Sequence, residues 1–172
     1  RTARLCANET YMDCPYYEQL QYIGDTRIQA MISLYASGDD RLVKNAIRQF
    51  AQSITAEHIT QSRYPSYLPQ FIPPFSLMWI NMIHDYYMYG EDSMFIQSFK
   101  QEMISVLSFF ETHRASNGML YKTPWWNFTD YADDFPLGIP DGADEGTSAL
   151  ISLQYVYALQ NAAELFRYLG DE

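Results

Sequence analysis

Basic residues, cysteines and histidines are all scarce in this chain, and each scarcity closes off a class of function. Only 11 Lys and Arg stand against 21 Asp and Glu, a formal net charge of -10. Nucleic acids and anionic membrane surfaces are gripped through concentrated positive charge, so neither is an expected partner. A neutral substrate such as a carbohydrate stays compatible. The two cysteines, Cys6 and Cys14, are too few for a disulfide framework and are expected to stay unpaired. The three histidines, His58, His84 and His113, are scattered without ligand spacing, so no metal site is expected. No apolar run is long enough to cross a membrane, and no signal peptide is visible. The chain opens at Arg1 in mid-pattern, which reads as a piece of a longer polypeptide.

What is abundant is apolar and aromatic. Hydrophobic residues make up 48% and charged residues 19% of 172, the balance of a single globular domain with a real core. The 15 Tyr, 10 Phe and 3 Trp admit two uses. One is a bulky helical core, which composition favours. The other is a sugar cleft, where ring faces stack on pyranose C–H surfaces and Tyr keeps a polar tip.

Helical periodicity runs through most of the chain. Asp25 or Thr26 to Ala36 predicts a first helix stopping near Gly38. Arg41 to Gln61 predicts a second, with Val43, Ile47, Phe50 and Ile54 on one stripe and His58 inside the pattern. Phe75 to Tyr89 predicts a third, ending at Gly90 and carrying His84 and a core Trp79. Asp92 to His113 carries Phe95, Phe99, Met103, Val106 and Phe110. Thr147 to Leu169 carries Leu150, Leu153, Tyr157 and Phe166, with Gly170 as its stop. The short joints Ser37–Asp40 and Gly90–Asp92 make antiparallel hairpins, so the expected class is all-α. Two connections are longer. Arg63–Pro74 is too rich in proline for a helix interior. Ala115–Gly146 is long and threaded with Tyr121, Trp125, Trp126, Phe128, Tyr131 and Phe135, the signature of an ordered and functional loop.

The acidic chemistry gathers between Asp13 and Asp25. If Pro15 opens a helix, Glu18 and Asp25 fall on one helical face. If the helix begins at Asp25, that residue is its N-cap and Asp13–Gly24 is a loop; Gly24 favours this version. Carboxylates beside Tyr16, Tyr17 and Tyr22 are placed for one pKa to rise, as a general acid needs. Residue types alone weigh more toward plain roles: Asp25 a cap, Glu18 a solvated acid, Asp13 a turn residue.

The run Glu9–Asp25, with Asp13-Cys14-Pro15, Glu18, Tyr22 and Gly24-Asp25 in order, resembles the signature of the bacterial α-L-rhamnosidases of glycoside hydrolase family 78. Trp126-Asn127-Phe128-Thr129-Asp130-Tyr131 resembles that family's second aromatic-acidic element, and Ala158–Glu164 is similar in packing. The resemblance implies a six-hairpin (α/α)6 barrel, of which residues 1–172 would be the N-terminal portion. It implies inverting hydrolysis of terminal α-L-rhamnosides, with Glu18 as general acid and a general-base Glu outside this chain. Asp13, Asp25, Tyr22, Trp126, Asp130 and Tyr131 would contact the sugar. Its expected partners are a rhamnoside, the rest of the barrel and flanking β-domains, in a periplasmic or secreted setting ahead of a cytoplasmic one.

Three positions depart from the family pattern: Tyr22 replaces the usual Trp, Tyr17 stands where Arg is frequent, and Gln21 where Gly is. They put the sugar and its linkage in question. Another inverting glycosidase on the same barrel is the first alternative, and a non-catalytic carbohydrate-binding module the second. A lyase is disfavoured, because it would want cations against a uronate.

Overall fold

The computed structural model describes residues 1–90 and 92–171 and contains, among them, seven α-helices and no extended strand. They are α1 (Thr2–Leu5), α2 (Ile23–Ser37), α3 (Arg41–Gln52), α4 (Pro73–Tyr87), α5 (Ser93–Gln97), α6 (Lys100–Thr112) and α7 (Ala149–Tyr168). A short 3-10 turn spans Pro136–Gly138. Isolated antiparallel bridges, such as Tyr22 with Arg63 and Tyr121 with Thr147, tie the long connections down. The all-α expectation holds.

Helix α4 is the axis of the packing. Its Pro73 and Pro74 occupy the first turn, where a missing N–H costs nothing. It is then apolar nearly all round, with Phe75, Leu77, Trp79, Ile80, Met82, Ile83 and Tyr86 buried. A helix of that kind has to be surrounded. α7 and α2 pack on it most extensively, with α3 and α6 completing the ring. Trp79, fully buried as expected, donates its indole N–H to Ile47 O on α3 at 3.1 Å. Asn161 Nδ2 donates to Asn81 Oδ1 at 2.9 Å, so the polar pair buried between α4 and α7 is matched. Each large side chain taken fully out of water in this core contributes roughly 1.5–3 kcal/mol.

Several boundaries differ from the sequence reading. α2 begins at Ile23 rather than at Asp25, so Asp25 is a first-turn residue and Tyr22 is the N-cap. α3 stops at Gln52, because Ser53 folds its hydroxyl back onto Phe50 O at 2.7 Å and accepts the Gln61 N–H. His58 consequently lies outside any helix, in a turn at φ 69°. The span from Asp92 to His113 is two helices. Ser98 Oγ takes the Phe95 carbonyl at 2.6 Å and Phe99 N–H reaches only to Ile96 O, a tight turn that interrupts the α pattern. On α7 the inward stripe is Ile151, Tyr155, Ala158, Ala162 and Leu165, whereas Leu153 and Tyr157 are 69% and 44% exposed. The small Ala158 and Ala162 let α7 sit close against α4, and that choice of face turns Leu153 and Tyr157 outward.

Candidate active site

The segment from Asp13 to Tyr22 is a loop, not a helix, and it is held by its own acidic residue. Asp13 N–H donates to Leu20 O at 2.9 Å, and Leu20 N–H returns to Asp13 Oδ1 at 2.8 Å. Within that closed loop Gln19 adopts φ 52° and donates its amide to Pro15 O at 3.0 Å, which pushes Tyr16, Tyr17 and Glu18 outward. The loop is anchored to the core through Gln21. This buried amide accepts from Tyr11 N–H at 3.2 Å and donates to Gln49 Oε1 and Tyr64 O at 2.8 and 2.7 Å.

Helix α2 then enters at Tyr22, whose hydroxyl accepts from Arg63 Nη1 at 2.9 Å. Gly24 is inside the first turn of α2, not before it. A Cβ there would lie 3.1 Å from Phe75 Cζ, so the glycine lets the start of α2 press against α4. That contact puts Asp25 beside Phe75 and Met78 on one cavity wall.

The opposite wall comes from the aromatic connection. Asn127 is buried and pinned: it accepts from the Thr123 hydroxyl and donates to Thr123 O at 2.8 Å and Asp144 Oδ1 at 3.0 Å. Trp126 donates its indole N–H to Leu137 O at 3.1 Å and lies 4.7 Å from the Phe128 ring. Phe128 passes directly over Gly138, where a Cβ would fall 2.3 Å from the ring and where φ is +74°. Only glycine fits there. The adjacent Trp125 turns the other way, against Phe71 and Phe109, and is not part of this wall.

Between the two walls is a cavity of about 440 Å³. It is lined by Asp13, Glu18, Tyr22, Asp25, Trp126, Asp130 and Tyr131, the full set of candidate residues, which the chain brings to one place. Further residues join them, three of which bear on the chemistry. Arg27 is the single basic side chain in the lining, and Phe75 and Phe128 supply apolar ring surface. Arg27 is clamped by Asp85 through two hydrogen bonds, at 2.6 and 3.2 Å, and by the Tyr157 hydroxyl at 3.3 Å. Its partners lie 58 and 130 residues away, so no local pattern could have flagged it. Phe128 was visible as one of the rings of the loop.

The carboxyls are not equivalent. Partial desolvation at the cavity wall pushes the Asp25 pKa upward, with the negative charges of Asp13, Asp130 and Glu18 adding to it, although the residue is exposed by surface area. Glu18 goes the other way. It is fully exposed, and the Cys14 thiol, 2.9 Å from its Oε2, holds its pKa below the ordinary value. That direction is opposite to the one a general acid needs. Cys6 and Cys14 are both free thiols. Asp13, Cys14 and Glu18 offer donor atoms all within 4.8 Å of one another, a set with the ligand types for a cation but open to water. Among the described residues no helix is long and apolar enough to cross a membrane.

Residues 1–172 match the family model described as the bacterial alpha-L-rhamnosidase 6 hairpin glycosidase domain. The fold is similar to a GH78 family rhamnosidase of Bacillus sp. GL1, with a TM-score of 0.87 and 26% identity over 98% of this chain. It is also similar to a rhamnosidase from Klebsiella oxytoca with rhamnose bound, with a TM-score of 0.78 and 20% identity, again over 98% of this chain. The chain spans 17% and 33% of the lengths of those two proteins. No curated protein matches it in sequence.

Proposed function

The chain belongs to the bacterial α-L-rhamnosidase six-hairpin glycosidase domain family, and from that membership we propose that its cavity seats a terminal α-L-rhamnose for hydrolysis with inversion. The observation that carries this reading is convergence. Two segments far apart in sequence, Asp13–Asp25 and Trp126–Tyr131, close on one cavity that takes in every residue nominated from the family resemblance. A cavity of about 440 Å³ accommodates one sugar ring, and the mix of rings and carboxylates suits a polyol with an apolar face.

In this reading Glu18 donates its proton to the glycosidic oxygen, the C1–O bond breaks, and its electron pair leaves with that oxygen. Water attacks C1 from the opposite face and gives its proton to a second carboxylate. That group must stand roughly 6.5–9.5 Å from the acid to leave room for the water. We assign it to no residue of 1–172. Asp13, Asp25 and Asp130 accept hydrogen bonds from the sugar hydroxyls, and their negative field favours the oxocarbenium-like transition state. Tyr22, Trp126 and Tyr131 give the ring walls. A neutral sugar seated against Glu18 strips water from it, which raises its pKa toward the protonated form that donation requires. No cofactor takes part in these steps.

The test is an assay of the full-length protein on an aryl α-L-rhamnoside beside a panel of other aryl glycosides. Glu18→Gln should lower kcat on the rhamnoside about 10²–10⁴-fold while rhamnose binding by calorimetry persists. Proton NMR of the first-formed product should show the β-anomer. Full activity in Glu18→Gln removes the acid from its role. Cleavage confined to another glycoside moves the reading to a different inverting glycosidase.

A further inference from the structure

The general acid marks a boundary that the cavity alone does not explain. Whatever proton Glu18 donates goes to the oxygen joining the sugar to its leaving group. The leaving group therefore extends from Glu18 on the side away from the cavity. On the same turn as Glu18 stand Tyr16 and Tyr17, 79% and 83% exposed, neither of them among the cavity-lining residues. Their rings meet edge to face with centroids 5.0 Å apart. The turn beneath them is fixed by the paired hydrogen bonds of Asp13 with Leu20 and by the Gln19 amide on Pro15 O. Two large rings thus stand on a braced loop next to the acid, outside the core of residues 1–172.

We infer that Tyr16 and Tyr17 form the leaving-group subsite, taking a ring-bearing leaving group, sugar or phenol, against their exposed faces. This rests on the rhamnosidase reading above. The chemistry shared by the two kinds of leaving group is a flat, partly apolar ring face. An edge-to-face pair presents one ring face and one hydroxyl-tipped edge to it, so it holds such a group by stacking and fixes its tilt by hydrogen bonding. With the leaving group held, the glycosidic oxygen is aligned on Glu18 and the barrier falls through positioning.

The experiment compares three substrates on the full-length protein: α-L-rhamnosyl fluoride, p-nitrophenyl α-L-rhamnoside and a rhamnosyl-glucose disaccharide. Tyr16→Ala and Tyr17→Ala should each lower kcat/KM about three- to tenfold on a ring-bearing substrate, and should leave the ringless fluoride within twofold. Tyr→Phe at either position should recover most of the loss. A loss confined to the nitrophenyl substrate assigns the subsite to phenolic groups, and one confined to the disaccharide assigns it to sugars. Equal losses on all three substrates, or no loss on any, overturn the subsite while the rhamnosidase reading stands. Wild-type protein inert on all three overturns the reading and the subsite together. Calorimetric binding of rhamnose to each variant separates a lost subsite from a collapsed fold.

Discussion

Cys14 offers its thiol to Glu18 Oε2 across 2.9 Å on a turn where the acid meets water, and this contact is the largest cause of the lowered Glu18 pKa. The sign of its removal follows. A hydrogen bond to the carboxylate stabilises the ionised form, so Cys14→Ala raises the Glu18 pKa and keeps the acid protonated to higher pH. The alkaline limb of the kcat/KM profile should move upward in Cys14→Ala and return toward wild type in Cys14→Ser, which restores a donor. A limb that stays fixed would show that another group sets it. Gly138 makes the second case at this scale. Gly138→Ala places a Cβ at 2.3 Å from Phe128 at a φ of +74°. It should cost about 1–3 kcal/mol and raise KM as the aromatic wall shifts, read by thermal melting and substrate titration. Residue identities of this kind were partly legible. Glu18, Asp13 and Asp25 stood out because their order and spacing form a motif, whereas Arg27 depends on Asp85 and Tyr157 and gave no local sign.

At the scale of elements, Gln21 decides where the site loop sits. Its amide meets Tyr11, Gln49 and Tyr64, tying the loop to α3 and to the stretch before α4 in one buried network. Gln21→Ala strands the buried Tyr11 N–H, at a cost of about 1–3 kcal/mol, and removes the partner of the partly buried Gln49 side chain and Tyr64 carbonyl. The expected result is a lower melting temperature together with a higher KM. A fall in melting temperature with KM unchanged would show that the loop is held without it. The α-helical class, the end of α2 and the start of α4 were legible because Gly38 and the prolines at Pro73 and Pro74 punctuate the chain, while the expected Gly90–Asp92 joint includes residue 91, which lies outside the described residues. The break at Ser98–Phe99 was not, since neither residue is a helix breaker by type and a serine hydroxyl makes the interruption. The inward face of α7 was misread for a related reason. Both stripes of that helix are apolar, and only the neighbour decides which one is buried.

That second apolar stripe belongs to the whole molecule. Leu153, Val156, Tyr157 and Leu159 on α7, and Ile28, Ile32 and Tyr35 on α2, stand exposed although their residue types favour burial. Arg27 on α2 reaches the Tyr157 hydroxyl on α7, so the two stripes flank a common surface beside α4. The net charge of -10 resists association over distance, but its repulsion is screened beyond about 8 Å at physiological salt and does not protect an apolar face at contact. Half of a closed ring of hairpins would present such a surface to the other half, in line with a chain that spans 17% and 33% of its structural relatives. Residues 1–172 expressed alone should bind a hydrophobic dye and self-associate, more so as salt rises. Ile32→Glu with Leu153→Glu should reduce both effects in the segment and lower the melting temperature of the full-length protein. If the segment is monodisperse and silent to the dye, these faces tolerate water and have no need of a covering partner. If the double variant solubilises the segment without touching the full-length protein, the stripes are exposed there too, and the covering surface lies elsewhere.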